Sequence, residues 1–377
     1  MTSETAETFP PGEIVAEELE ARGWSQADLA AIVGRDSGMV SAVISGKRAI
    51  TVETARDLSG AFGTSPQFWL NLQAAHQLSQ LDTSGNEIAR RARLYELAPV
   101  NEMVKRGWIE ETGSVGVLER RVTSFFGMRD LSEEPRFWPV AARKSPAFDE
   151  PEAVLRAWLF RARQLAKSVH VGARYSEKRL AAALEALRGC LESPSEVRRV
   201  PRILADHGIR LVVVEKLPKS HVDGVCFWLD RYSPAVALSL RFDRIDYFWH
   251  TLIHELDHVG HGDGKGRGYA SVDSNWGSYS GDRPEEEIRA DAFAAGFTVD
   301  QVKLESFISR VKPLYSTLRI EALAKRIQTN PGLVVGQLQH RKEILYSHSR
   351  RLLVKVRQHL IGSTLTDGFG HQPPVIP

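Results

Sequence analysis

Residues 245–259 read IDYFWHTLIHELDHV. At 3.6 residues per turn, Phe248, Leu252, Leu256 and Val259 fall on one apolar stripe, the pattern of a helix packed against a sheet. Inside that helix His254, Glu255, Leu256, Asp257 and His258 spell H-E-x-x-H. Histidines at i and i+4 leave the same face one above the other, so their imidazoles can share one Zn²⁺. Glu255 then lies beside the open position of the metal. There it can take a proton from a water that the metal has made acidic enough to attack an amide near neutral pH. A histidine-bearing surface helix is the bland alternative, and the apolar setting of the pentapeptide argues against it.

Two histidines do not complete a zinc site, so another segment must supply a third ligand. Residues 283–297, RPEEEIRADAFAAGF, read as a second helix, with Pro284 suited to its first turn and acids following it. Glu287 and Asp291 stand one turn apart in it. That pattern offers one carboxylate to the metal and a second to orient a ligating histidine, which makes Glu287 the third ligand and Asp291 its supporting acid. His261 is a rival, but along a continuous helix it would stand about 10 Å from His254. Glu285 and Glu286 point elsewhere on their helix and read as a solvated acidic first turn. The segment from Gly260 to Asp282 reads equally as a flexible lid or as a plain exposed loop. Tyr269, Tyr279 and His261 are open candidates for polarising the oxyanion of an amide hydrolysis.

Composition bounds the setting. A chain of 377 residues with 42% hydrophobic and 25% charged residues is globular and long enough for two or three domains. Cys190 and Cys226 are its two cysteines, too few for a disulfide-stapled fold and too far in sequence from the His cluster to suggest ligation. No apolar run approaches 18 residues, so the expectation is a soluble, cytoplasmic protein with no membrane partner. The net charge of +2 hides an uneven distribution. Residues 1–80 carry Arg22, Arg35, Lys47, Arg48 and Arg56 against ten acids, so DNA binding there needs a local basic patch.

The N-terminal region has its own layout. Ser25–Val33, SQADLAAIV, opens on an N-cap serine and shows the spacing of a short amphipathic helix. The turn GRDSG at 34–38 leads to a second short helix, Met39–Ile44, closed by Ser45-Gly46, and Thr51 caps a third. Two short helices joined by a tight turn describe a helix-turn-helix.

Residues 13–76, including WSQADLAAIVGRDSGMVSAVISGKRAIT and FWLNLQ, resemble the Cro/phage-repressor-like domain of HigA-type antitoxins. The resemblance implies that the second helix enters the major groove of double-stranded operator DNA. It makes Ser37, Met39, Val40 and Ser41 the reading surface and Gln26, Lys47 and Arg48 phosphate contacts. It also implies a homodimer on a palindromic operator. Trp69, Leu70 and Leu72 are expected in the core of this bundle.

The metal region resembles ImmA/IrrE-type metallopeptidases through IRLVVVEKLP, HVDGVCFWLD, PAVALSLRFDRIDYFWHTLIHELDHV and EEEIRADAFAAGF, all within residues 209–297. That resemblance matches His254, His258 and Glu287 to the zinc ligands and Glu255 to the general base. Strands are expected at Ile209–Val214, Gly224–Leu229 and Ala235–Leu240, forming a small antiparallel sheet. The fold class is therefore multidomain and mostly α, with a helix-turn-helix bundle and an α+β zincin-like domain. The expected divisions are 1–80 helix-turn-helix, 81–204 helical connector, 205–300 metallopeptidase core, 301–361 helical extension and 362–377 disordered tail. Pro139–Glu152 reads as a loop within the connector. The functional expectation is a transcription regulator fused to a zinc endopeptidase that cleaves a regulatory or toxin partner protein. The alternative is an antitoxin-like autorepressor of a toxin-antitoxin module whose zinc domain is structural or sensory.

Overall fold

A computed structural model describes residues 9–80, 84–133, 135, 152–263, 265, 271–274 and 284–367. The chain divides after Arg90 into two compact units.

The first unit is helical: α1 (Pro11–Arg22), α2 (Gln26–Val33), α3 (Ser37–Ile44), α4 (Val52–Phe62) and α5 (Pro66–Gln80). Helices α2, α3 and α4 each start on a side-chain cap. Ser25 and Asp28 form a reciprocal capping box on α2, and Thr51 accepts from the Thr54 amide to open α4. On α3 it is Asp36 that caps, accepting from the Met39 amide at 2.8 Å, so the helix starts at Ser37 and not at Met39 as the turn reading expects. Gly34 closes α2 at φ 66°, a left-handed position suited to glycine. Gly12 is needed for contact: a Cβ there would lie 2.2 Å from the carbonyl oxygen of Ile44, so α1 lies directly on the end of α3. Val15, Leu29, Val40, Val43, Leu58, Phe62 and Trp69 make the core, with Leu70 and Leu72 packed on it, as expected for the three α5 residues.

Helix α6 (Ser84–Leu97) leads into the second unit. There follow α7 (Val100–Lys105), α8 (Val115–Phe126), α9 (Glu152–Ser168), α10 (Glu177–Arg188) and α11 (Val200–Asp206). Then come β1 (Arg210–Val213), β2 (Val222–Trp228), β3 (Pro234–Leu238), α12 (Ile245–His261), β4 (Ser271–Ser274) and α13 (Glu285–Thr298). The chain continues through α14 (Gln301–Val311), α15 (Thr317–Arg326), α16 (Pro331–His340), α17 (Arg357–Leu360) and β5 (Leu365–Thr366).

The sheet corrects the expectation of an antiparallel one. Its order is β4-β2-β3-β1-β5, with β2 antiparallel to β3 and β4, and β1 parallel to both β3 and β5. The physical reason is that β2 and β3 form a hairpin whose far side, not its near side, receives β1. Strands β2 and β3 are buried throughout. Alternate residues serve two cores: Leu211, Val213, Cys226 and Trp228 face α12, while Val212, Val225 and Phe227 face a second layer built from Met103, Phe126, Trp158 and neighbours. Of the helices read as a connector, α7–α9 thus cover one face of the sheet, while α10 and α11 pack with α12 on the other.

The C-terminal helices buttress α12. A Cβ on Gly336 of α16 would lie 2.6 Å from the Asp246 side chain, and Arg244 hydrogen-bonds both Asp246 and Gln339. The expectation of a disordered tail from residue 362 is corrected for 362–367, because β5 adds to the edge of β1 and Asp367 is buried; residues 368–377 of that expectation lie outside the described residues. The buried carboxylate of Asp367 pairs with buried Arg106 at 3.0 Å, and Arg106 also donates to the carbonyls of Glu215 and Lys216. Residues 139–151 of the loop read at Pro139–Glu152 also lie outside the described residues, while Glu152 opens α9.

Removing one partner of a buried pair leaves the other charge uncompensated. Asp367→Ala is therefore expected to cost roughly 3–5 kcal/mol in denaturant unfolding of the second unit, against well under 1 kcal/mol for Ser363→Ala at the exposed turn before it.

Candidate functional site

Helix α12 lies between the sheet and α13, and both histidines of H-E-x-x-H are fully enclosed. Nε2 of His254 and Nε2 of His258 are 3.1 Å apart. Glu287, from the first turn of α13, brings Oε2 to 3.2 Å from His254 Nε2 and Oε1 to 3.5 Å from His258 Nε2. Bonds of about 2.0–2.1 Å in a tetrahedron separate donor atoms by about 3.3 Å, so the three donors already stand at the spacing that one zinc ion requires. Among the described residues, His254, His258 and Glu287 form one donor group, and it includes neither cysteine.

The outer ring nitrogens explain why these donors face one another. Asp291 Oδ1 is 2.9 Å from His254 Nδ1, and Asp263 Oδ2 is 2.8 Å from His258 Nδ1. A carboxylate accepts, so each Nδ1 donates, and a ring that carries that one proton presents its lone pair on Nε2. Two imidazole nitrogens and a carboxylate converging in a buried space could together hold a cation. Burial opposes ionisation of Asp291, yet hydrogen bonds from His250 and His254 hold its carboxyl well below the usual carboxylate range. Asp263 is similar: burial opposes its charge, and hydrogen bonds from His258 and Arg289 outweigh that and lower it. Burial opposes the charge of Glu287 as well; when the rings are protonated, the hydrogen bond from His254 and the charges of His254 and His258 outweigh it and lower the carboxyl.

Glu255 is fully buried on the side of α12 that meets β2. Gly224 makes this approach possible. A Cβ on it would lie 3.0 Å from Glu255 Oε1 and 2.6 Å from Thr251 Cγ2. Cys226, also on β2, has its thiol pushed well above the ordinary range by burial first, then by the charges of Glu255 and Asp263. It is a packing residue with an inert thiol.

The rivals for the third position lie elsewhere. The side chain of His261 is half exposed and its Nδ1 is 2.9 Å from the Asp257 carbonyl oxygen, while Glu285 is exposed and Glu286 partly so. Tyr269 and Tyr279 lie outside the described residues, as does most of the segment read as a lid. Sequence reasoning missed His250, Asp263, Arg289 and Gly224. His250 carried a signal, since it precedes His254 by one turn and shares Asp291 with it at 3.2 Å.

In the first unit the expected reading surface is partly corrected. Val40 is buried in the core with Val43, and Met39 packs on that core, because positions three and four apart on α3 face α1 and α2. Val40 is thus withdrawn from any base edge, while Met39 is half-buried beside it. Ser37 and Ser41 are exposed on the opposite side, and Ser45, which the sequence reading omitted, extends their row by one more turn. Gln26 at the start of α2, and Lys47 and Arg48 after α3, are exposed as expected. Arg35 is committed to Asp57 through two hydrogen bonds, and Arg22 to Glu18 and the Phe62 carbonyl.

Residues 15–69 match the model of a helix-turn-helix family. A regulator of Escherichia coli K12 described as the uncharacterized HTH-type transcriptional regulator YddM is 36% identical over 84 residues, which are 22% of this chain and 88% of that protein. The chain belongs to the helix-turn-helix family. Among solved structures, an addiction module antidote protein of the HigA family from Coxiella burnetii is 41% identical, covering 22% of this chain and 94% of that one, with a TM-score of 0.21. The Pseudomonas aeruginosa antitoxin HigA, solved with the higBA promoter, is 34% identical over 19% of this chain and 80% of its own, with a TM-score of 0.19. For this helix-turn-helix protein the family assignment rests on the first unit. Among the described residues, no helix is long and apolar enough to cross a membrane.

If Gly224 is kept for the seating of Glu255, Gly224→Ala displaces Thr251 and Glu255 together. Such overpacking is expected to cost about 1–3 kcal/mol in thermal or denaturant unfolding, against a small effect of Gly60→Ala at an open helical position.

Proposed function

We propose that this chain is a DNA-binding regulator joined to a zinc-dependent peptide hydrolase. The single observation that carries the enzymatic half is the triangle of His254 Nε2, His258 Nε2 and the Glu287 carboxylate, at 3.1, 3.2 and 3.5 Å, with Glu255 on the same helix. Three protein donors are the number found at catalytic zinc sites, whereas structural sites usually have four. The ImmA/IrrE-like motifs in residues 209–297 support the same reading.

Zinc held there would act as a Lewis acid toward a peptide carbonyl and would make water a nucleophile near neutral pH. The chain's own residues do the rest. Asp291 and Asp263 hold the two imidazoles in the tautomer that presents Nε2. The Glu255 carboxylate accepts a proton from the water that adds to the carbonyl carbon. It returns that proton to the amide nitrogen as the C–N bond breaks. The substrate class is a protein, either a regulatory protein or a toxin partner.

In the first unit, Lys47, Arg48 and Gln26 would anchor phosphates, while Ser37 and Ser41 offer hydroxyls to base edges of duplex operator DNA and Ser45, whose hydroxyl donates to the Ser41 carbonyl, offers only an acceptor. A homodimer on a palindromic site fits this module. A second reading, an antitoxin-like autorepressor whose zinc domain is structural or sensory, draws on one observation: the match to YddM takes in 88% of that regulator, so one stretch of this chain holds nearly a whole regulator.

Metal analysis separates metal binding from the fold. Wild type is expected to hold about one zinc per chain, and His258→Ala and Glu287→Ala to lose most of it. A wild type that cannot be loaded removes the enzymatic reading. Glu255→Gln should keep the zinc and the DNA binding and abolish cleavage; cleavage that survives in it assigns the general base elsewhere, and wild type without cleavage of any cellular protein favours the autorepressor. For the DNA half, Lys47→Ala with Arg48→Ala should weaken operator binding at every sequence alike and lower the slope of log K against log salt by about 2.

A further inference from the structure

The end of α12 is itself built into the metal centre. Gly262 takes φ 70°, the Gly262 amide donates to the Val259 carbonyl at 3.2 Å, and the Asp263 amide donates to the His258 carbonyl at 2.9 Å. These two bonds are a Schellman C-cap, in which the residue after the glycine folds back over the residue five positions earlier. An apolar contact usually joins those two positions. Here it is replaced by a polar one: Asp263 Oδ2 meets His258 Nδ1 at 2.8 Å. The backbone of Asp263 is pinned on its other side, since Trp228 Nε1 of β2 donates to its carbonyl at 3.1 Å.

Arg289 connects this cap to the helix that carries Glu287. It stands two residues after Glu287 on α13 and donates Nη2 to Asp263 Oδ2 at 2.7 Å and Nε to Asp257 Oδ2 at 2.8 Å. One oxygen of Asp263 therefore receives both the His258 ring and the Arg289 guanidinium. Asp257, nearly buried, fixes the second arm of Arg289 to α12 itself. We propose that Asp263 and Arg289 are positioning residues that set the orientation of His258 and the placement of Glu287 as one unit. The inference rests on the zinc reading of His254, His258 and Glu287. It adds that α12 and α13 deliver their ligands through a shared clamp on the opposite side of His258 from the donor triangle. His254 is held differently, by Asp291 with His250 on the same carboxylate oxygen.

The test uses the full-length protein, freed of metal and titrated with zinc against a chromophoric chelator. Outer-shell partners of ligating histidines typically change metal affinity 10- to 100-fold. Asp263→Ala is expected to bind zinc about 10- to 100-fold more weakly. Asp263→Asn, which can still accept from Nδ1, should lose less than Asp263→Ala. Arg289→Gln should weaken binding, and Arg289→Lys should recover part of the loss. In the zinc-loaded wild type, ¹⁵N shifts of the His258 ring should report a protonated Nδ1 and a metal-bound Nε2; in Asp263→Ala the two signals should broaden or move toward a mixture. Thermal unfolding of the metal-free variants separates lost folding from lost positioning, and if Asp263→Ala does not fold, Arg289→Gln decides by the same affinity criterion. Wild-type zinc binding with variants within about threefold of it overturns the positioning role alone, since the outer-shell effect is at least about tenfold. A wild type that takes up no zinc overturns the metal reading on which the proposal stands.

Discussion

The second unit depends on a helix that buries polar groups where most helices bury apolar ones. Helix α12 is enclosed along nearly its whole length, and His250, His254, Glu255, Asp257 and His258 all lie inside. Isolated, each would oppose folding, because a buried polar group without partners costs several kcal/mol and a buried charge more. The surrounding architecture supplies partners on every side. Asp291 and Glu287 come from α13, Asp263 from the cap, and Arg289 neutralises part of the acidic excess that these carboxylates create. The arrangement still leaves three electron-rich donors facing one another, which is costly for structure alone and suits a site for a cation.

That requirement explains features far from the donors. Carrying a polar cluster in one core leaves less apolar contact to hold α12 in place, and the helix is braced by glycine contacts on two sides. Gly224 lets β2 come down onto Thr251 and Glu255, and Gly336 lets α16 press against Asp246. The sheet then needs cover on its other face, which the helices α7–α9 provide through Met103, Phe126 and Trp158. The three layers are thus consequences of one buried helix and one sheet with apolar residues on both sides.

What was legible in the sequence follows the range of each signal. The His254/His258 pair, Glu287 and Asp291 were readable because helical spacing fixes which side chains share a face. The caps of α2 and α4 were readable because Ser25 and Thr51 act within three residues. Strand pairing was not: whether β1 joins β3 on the near or far side depends on contacts that period-2 alternation does not encode, and so the sheet is mixed where an antiparallel one was expected. Asp367 illustrates the limit best. Nothing local marks a tail residue as buried, since its partner Arg106 is 261 positions away. Arg289 and Asp263 were missed for a related reason, as an arginine two residues past a ligand and an acid past a helix end resemble ordinary surface charges until the cap is folded.

The first unit argues the same point from the other direction. On α3 the motif position alone did not distinguish Val40 from Ser41, although one is buried and the other exposed. Packing makes the distinction, because Gly12 brings α1 against the end of α3 and commits the Val40–Val43 side to the core. The face left to the outside is a row of serines followed by Lys47 and Arg48. Serine hydroxyls both donate and accept and discriminate bases weakly, so in the proposed function a module with this face would draw its affinity mainly from phosphate contacts and its selectivity from spacing and DNA shape. In the proposed function such a module positions the chain on DNA, and the chemistry would fall to the donor triangle of its other unit.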